Sequence, residues 1–182
     1  MKIFRRLKYY LQRIYRLTLS PAGMKEKVWD DLKKLHKEAD WRSGVYENGK
    51  FIETVFGISE EKGAVFYHFI QDDFIILRVK VLEDFPEELT TEFFILATHF
   101  NNLLKRGKVM VDPGDRQVEY FYSRELLIPL LYKDEIYADI KGHVDLSKDI
   151  HAAFKRLLLE RESPAIIIAD LLRQMEKDDK AS

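Results

Sequence analysis

Residues 51–82, FIETVFGISEEKGAVFYHFIQDDFIILRVKVL, decide the predicted fold of this chain. They contain three apolar runs joined by short polar turns, at about residues 51–58, 64–71 and 74–82. Turns this short cannot hold the crossover that parallel strands need, so the runs are predicted to form an antiparallel meander. In the third run Leu77, Val79 and Val81 alternate with basic residues, which indicates one buried face and one solvated face.

Helical periodicity predicts one helix on each side of the meander. The upstream helix covers about residues 24–40, and Asn48-Gly49 then signals a hairpin between Val45-Tyr46 and Phe51-Ile52. The downstream helix opens at Asp84-Phe85-Pro86, because proline and acidic residues suit a helix N-terminus. It closes at Gly107, where a left-handed residue is expected.

The C-terminal half is predicted to contain a second hairpin and two more helices. The hairpin pairs residues 108–112 with 117–122 over a type II turn at Pro113-Gly114. For residues 126–144 two alternatives stay open: they continue the strand, or they turn inward. Pro129 disfavours a long helix in this segment. Ser147 is predicted to be the N-cap of a helix to about Glu160, and Ser163-Pro164 starts the last helix.

These elements predict an α+β fold with a mostly antiparallel sheet of about five strands. Their order is helix, three strands, helix, two strands, helices, and a basic amphipathic helix precedes them. A chain of 182 residues, 46% hydrophobic and 34% charged, is typical of a folded globular protein. Residues 21–182 are therefore predicted to be one domain, and residues 1–20 a basic arm.

The arm contains six basic residues and no acidic residue, whereas the rest of the chain has a net charge of −7. Its basic residues are Lys2, Arg5, Arg6, Lys8, Arg13 and Arg16. At about 100° per residue they fall outside an apolar helix face. That face consists of Ile3, Leu7, Tyr10, Leu11, Ile14, Leu17 and Thr18. Three roles stay open for this helix: contact with an anionic membrane surface, contact with a partner protein or a second copy of the chain, and packing on its own domain.

Composition excludes several classes of protein and of site. The chain has no cysteine, so disulfides, thiolate zinc sites and thiol nucleophiles are impossible. No apolar run approaches the roughly 18 residues of a membrane span. Arg13 and Arg16 interrupt the place where a signal peptide would have its apolar region of about 7–15 residues. A cytoplasmic location is expected, with peripheral membrane association as an open addition.

No motif points to catalysis, so we predict that the protein is not an enzyme and has no catalytic residue, cofactor or metal ligand. The chain contains no phosphate-binding loop and no G-x-S-x-G, and its five histidines lack helical ligand spacing. A cation could bind to Asp112, Asp115 and Glu119, but a structural role is favoured. Aspartate is common in turns, where its side chain forms local hydrogen bonds, and Glu119 lies nearby. The rival hypothesis is a hydrolase or metal enzyme that brings His68 or His99 into a cleft with carboxylates.

Four aromatic or aliphatic residues on strand faces are the candidates for a protein interface. They are Phe74, Ile76, Tyr120 and Tyr122. For Tyr120 and Tyr122, which share a strand face with Val118, two alternatives stay open: packing on a helix and contact with a partner. A role in nucleic-acid binding is disfavoured, because residues 21–182 are acidic overall and only the arm has a cluster of basic residues.

The order of elements resembles that of the YbjN-type family and of the related type III secretion chaperone-like fold, over about residues 25–175. The residues that carry the resemblance are Leu96-Ala97, Asn101-Asn102-Leu103-Leu104 and Gly107-Lys108-Val109-Met110-Val111. The resemblance implies a binding or chaperone-like role, sometimes as a dimer, and supplies no catalytic residue. The predicted function is a non-catalytic protein-binding, chaperone-like or regulatory module. The alternatives are a peripheral membrane protein docked by its arm and the hydrolase or metal enzyme described above.

Overall fold

A computed structural model describes residues 7, 10, 11, 14, 15, 17–60, 62–72, 74–125 and 133–181. The helices are α1 (Pro21–Glu38), α2 (Thr90–Leu103), α3 (Lys133–Glu160) and α4 (Pro164–Ala181), and a 3-10 turn, Glu87–Leu89, precedes α2. The strands are β1 (Ser43–Tyr46), β2 (Phe51–Gly57), β3 (Gly63–Gln71), β4 (Phe74–Leu82), β5 (Lys108–Asp112) and β6 (Gln117–Glu125). These elements confirm the predicted α+β fold class. Within the described residues the sheet has six strands, because the residues before Asn48-Gly49 form a strand of their own.

The sheet is mostly antiparallel and has the strand order β1-β2-β3-β4-β6-β5, so β1 and β5 are its two edges. Both predicted hairpins are confirmed: Tyr46 pairs with Phe51, and Asp112 pairs with Gln117. The first hairpin has a loop of four residues rather than two. Lys50, at the end of that loop, adopts the left-handed conformation with φ of 46°.

The chain forms two compact units, each assembled from three segments. Unit 1 consists of Met1–Thr54, Tyr67–Leu77 and Ser123–Lys141, and unit 2 of Val55–Phe66, Arg78–Tyr122 and Gly142–Ser182. The buried apolar residues of unit 1 include Met24, Val28, Trp29, Leu32 and Leu35 on one face of α1, together with Ile52 of β2. The 3.6-residue spacing of the α1 positions explains why this segment is helical.

Unit 2 has an aromatic core centred on α2. The ring of Phe93 lies 4.4 Å from that of Phe85 and 5.1 Å from that of Phe154, measured between centroids. Helix α2 packs on β5 and on α4. At the junction of α2 with β5, the Asn101 amide donates to the Val109 carbonyl (2.9 Å) and accepts from the Val109 N–H (2.7 Å). Asn101 therefore positions this edge strand against its helix.

Two local predictions were wrong. Ser147 does not cap a helix, because α3 runs without a break from Lys133 to Glu160, and the buried Ser147 hydroxyl donates to the His143 carbonyl one turn earlier. The turn at Pro113-Gly114 is not type II, because the left-handed residue of this loop is Arg116 (φ 49°) and not Gly114. The open interpretation of residues 126–144 lies partly outside the described residues, since the structure describes only 133–144 of them, all within α3.

Gly107 has the predicted left-handed conformation, with φ of 76°, although α2 ends earlier, at Leu103. A Cβ atom at Gly107 would lie 2.6 Å from the Tyr120 hydroxyl and 2.9 Å from the Phe121 carbonyl oxygen. Tyr120 cannot move aside easily, since it is fully buried and its hydroxyl lies 2.9 Å from Nδ1 of His143. Gly107 is thus required both for its backbone conformation and for close packing.

We predict that Gly107→Ala lowers the free energy of unfolding by roughly 2–4 kcal/mol, through backbone strain and overpacking. Urea denaturation monitored by circular dichroism measures this change. Gly142→Ala is the matched control, because a Cβ there meets nothing within 4 Å in the middle of α3. We expect the control to be neutral or to stabilise by up to about 1 kcal/mol. Equal effects of the two substitutions would contradict this account of Gly107.

Candidate functional site

Helix α1 is attached to the β1–β2 hairpin at two places, one at the loop and one at the paired strands. Four α1 residues on successive turns make these contacts: Glu26, Trp29, Lys33 and His36. Their spacing of three or four residues places them on one side of the helix. The hairpin is therefore held by side chains along most of the length of α1.

At the loop, the Glu47 carboxylate is the centre of the contacts. Its Oε2 accepts from the Trp29 indole N–H (2.8 Å), and its Oε1 accepts from the Lys33 ammonium (3.0 Å). The indole donor and the ammonium together lower the pKa of Glu47, and Glu47 raises that of Lys33. Lys50 of the same loop forms an ion pair with Glu26. The charged groups lie near solvent, so their ion pairs orient the loop more than they stabilise the fold.

At the strands, the His36 imidazole joins α1 to both halves of the hairpin. Its Nδ1 lies 2.9 Å from the Ser43 hydroxyl of β1 and 3.1 Å from the Thr54 hydroxyl of β2. The two hydroxyl groups are 2.8 Å apart and Ser43 is paired with Thr54 across the strands. The three side chains thus form a closed triangle of hydrogen-bonding groups on the face of the hairpin that is turned toward α1.

Aromatic rings surround the other side of this imidazole. The rings of Trp41 and His68 meet it edge to face, with centroids 5.1 and 5.5 Å away. The His36 Nε2 is buried and has no hydrogen-bond partner in the described part of the chain. Burial therefore disfavours the charged form and lowers the pKa of His36 from its ordinary value of 6.5 to about 4.

The chemistry of this cluster is that of a neutral structural imidazole. A general base works best with a pKa near the operating pH, and a group with a pKa of about 4 accepts protons weakly at neutral pH. Within the described ranges, no group of three or more histidine, aspartate or glutamate side chains is placed to hold a metal ion. The His36–Ser43–Thr54 triangle is best suited to fixing the hairpin on α1.

Strand β1 has partly exposed side chains on both of its faces, since Val45 and Tyr46 are consecutive residues. Strand β1 is the edge of the sheet, and its Val45 and Tyr46 are 43% and 46% exposed. The Tyr46 ring is stacked on that of Phe51, with centroids 4.2 Å apart, so one aromatic pair covers the end of the hairpin. Among the described strands, only β2 pairs with β1. We call Ser43–Tyr46 and the Tyr46–Phe51 ring pair the β1 edge.

The four residues predicted to form a protein interface lie in different environments. Tyr120 and Tyr122 are buried on β6 of unit 2, where both rings pack against His143, so they are core residues and offer no surface to a partner. Ile76 is also buried, and Phe74, at the start of β4, is 39% exposed. The strand pattern placed these side chains on sheet faces correctly. Packing of the Tyr120 and Tyr122 face on a helix, one of the two alternatives for this face, is what the structure has, although the strand pattern does not identify His143 of α3 as the covering residue.

The six basic residues of the arm, Lys2, Arg5, Arg6, Lys8, Arg13 and Arg16, lie outside the described residues. Several residues of its predicted apolar face are described, and their backbone is helical. Leu7, Tyr10, Leu11, Ile14 and Leu17 are all more than half exposed. None of the described helices combines the length and apolar character needed to cross a membrane.

The acidic residues near the second hairpin have structural partners. The Asp112 carboxylate accepts from the backbone N–H groups of Gly114 and Asp115, which is the turn role that aspartate favours. Glu119 is buried and its Oε2 accepts from Arg78 Nε at 2.7 Å. Neither arrangement leaves these carboxylates grouped for a cation.

The remaining histidines are not brought together with carboxylates in a cleft of the described structure. His68 is buried beside His36, and His99 is half-buried on α2. The buried His151 lies with Nδ1 2.7 Å from the Val81 carbonyl, and burial lowers its pKa. The hydrolase or metal-enzyme hypothesis therefore gains no support from their placement.

Sequence reasoning missed the role of His36, Ser43, Thr54 and Glu47. One signal was present: Trp29 and His36 lie seven residues apart beside the apolar stripe of α1, which places two hydrogen-bonding rings on one side of that helix. Their partners follow within eighteen residues of them along the chain. No periodicity rule identifies those partners, because they depend on how the hairpin folds back.

Solved structures include a structural neighbour of this chain. It is YbjN from E. coli, described as a proposed transcription regulator. The two are 13% identical, the match covers 68% of this chain and 92% of that one, and the TM-score is 0.48. No family model matches the sequence, and no curated protein matches it.

We predict that the His36 imidazole makes the stability of the protein fall as the pH is lowered from about 6.5 to about 4. The unfolded chain binds more protons than the folded one in this window, because the pKa of His36 is lowered only on folding. The contribution of His36 is present above pH 6.5 and is lost progressively toward pH 4, by about 3 kcal/mol in total.

Urea denaturation across this pH window measures the effect. His36→Gln removes the titrating group, and we expect a shallower pH dependence in that variant. Lys37→Gln, an exposed neighbour on α1, is the control and should keep the slope of the original chain. Equal slopes in all three proteins would show that the imidazole is not held neutral by the fold.

Proposed function

We propose that this protein is a non-catalytic protein-binding module that engages an extended segment of its partner at the β1 edge. The observation that carries the proposal is the combination of an edge position with exposed apolar side chains, Val45 and Tyr46, on the same short strand. An edge strand presents unpaired backbone N–H and C=O groups, to which an extended chain adds by hydrogen bonding.

Two features of unit 1 support this use of the β1 edge. The hairpin is fixed on α1 by His36 at one end and by Glu47 at the other. Binding of a partner therefore costs little conformational entropy in the hairpin. The sequence Ser43-Gly44-Val45-Tyr46 also has no lysine or proline, the residues that commonly protect an edge from added strands. A rigid, unprotected edge is suited to recognition of a partner strand.

Photo-crosslinking tests where a partner binds. Tyr46 is replaced by the photoreactive residue benzoylphenylalanine in the cell that makes the protein, and adducts are identified after irradiation. Leu159, which is 65% exposed on α3, is the control position. We expect an adduct from position 46 and none with the same protein from position 159.

The purified partner then allows a quantitative prediction. We expect Val45→Lys to weaken binding by at least about tenfold, because a charge on an edge strand opposes strand addition and removes apolar contact. The control is Val55→Lys, since Val55 is 59% exposed but lies on the interior strand β2. Isothermal calorimetry measures both affinities. Equal loss in the two variants, or no loss in either, would contradict binding at the β1 edge.

A further inference from the structure

A second surface, independent of the β1 edge, lies on the arm formed by residues 1–20. Its described apolar residues Leu7, Leu11, Ile14 and Leu17 have helical backbone and are between 54% and 63% exposed. Tyr10 and Tyr15 are exposed to a similar degree. Within the part of the chain that the structure describes, Leu7, Leu11, Ile14 and Leu17 thus present an exposed apolar face at helical spacing.

The charge of the same twenty residues indicates what covers this face. They carry six cations and no anion, and helical periodicity places those cations outside the apolar face. An apolar stripe beside a polar face whose charged residues are all cationic, with tyrosines nearby, is the composition of a helix that lies in the headgroup region of a bilayer. The rest of the chain has a net charge of −7, so an anionic surface attracts the arm and repels the body.

We propose that residues 1–20 dock this protein on the surface of an anionic phospholipid bilayer, with Leu7, Leu11, Ile14 and Leu17 inserted among the headgroups. Each cation near an anionic leaflet strengthens binding by about fivefold. The apolar residues add affinity that salt does not screen. The docking is reversible, because the arm lies on the membrane and does not cross it.

Vesicle co-sedimentation of the purified full-length chain tests the proposal. One set of vesicles is pure phosphatidylcholine, and the other contains about one third phosphatidylserine. We expect binding to the anionic vesicles at about 0.05 M NaCl, at least tenfold weaker binding at about 0.5 M NaCl, and little binding to the neutral ones.

Two pairs of variants separate charge from apolar insertion. Arg13→Gln with Arg16→Gln removes two arm charges, and we expect it to weaken binding by roughly 25-fold. Its control, Lys105→Gln with Arg106→Gln, removes two charges from an exposed segment of unit 2 and should leave binding unchanged.

Leu11→Ser with Ile14→Ser should also weaken binding by at least tenfold. Leu159→Ser with Ile166→Ser, which alters exposed residues of α3 and α4, is the matched control.

Three results would overturn the proposal. The first is no binding to anionic vesicles at low salt. The second is binding that the Leu11 and Ile14 substitutions leave intact, because the apolar face would then have no role. The third is a dimer in sedimentation velocity that the arm variants dissociate, with no protein retained by vesicles, because a second copy would then be the covering surface. Thermal melts identical among all variants show that these outcomes do not arise from unfolding.

Discussion

The structure of unit 1 depends on the hydrogen bonds of one buried imidazole. His36 contacts Ser43 and Thr54 at once, so a single ring fixes α1 against both strands of the β1–β2 hairpin. A buried polar group stabilises a fold only when it is hydrogen-bonded, and here the bonded partners lie on opposite strands of one pair. The position of β1, and with it the exposed edge of the sheet, follows from this contact.

The burial of His36 gives this ring a structural role and keeps it uncharged. A ring with a pKa of about 4 remains neutral at physiological pH, which allows it to sit among Trp41 and His68 without a counter-ion. The contacts of His36 hold the first residue of β1 on α1, while Val45 and Tyr46 remain partly accessible at the edge. The groups of unit 1 that are accessible at the β1 edge include these two apolar side chains and the backbone N–H and C=O groups that an edge strand presents.

Elements with strong periodicity were predictable from the sequence, whereas contacts between distant residues were not. The meander, the presence of both hairpins and the left-handed Gly107 follow from local rules of alternation and turn chemistry, whereas the loop length of the first hairpin and the turn type of the second do not. The helix predicted to start at Ser147 was wrong, because a buried serine can donate to the preceding turn instead of capping a helix. The burial of Tyr120 and the His36 contacts arise from tertiary packing, which alternation along a single strand does not encode.

Hydrogen–deuterium exchange of the protein, free and bound to the crosslinked partner once purified, tests the central claim most directly. If a partner strand adds to the β1 edge, the amides of Ser43–Tyr46 gain protection in the complex, since added main-chain hydrogen bonds slow their exchange. The amides of β5, the opposite edge of the sheet, should be unchanged. Protection that appears on β5 or on α2 while β1 exchanges as in the free protein would contradict the account.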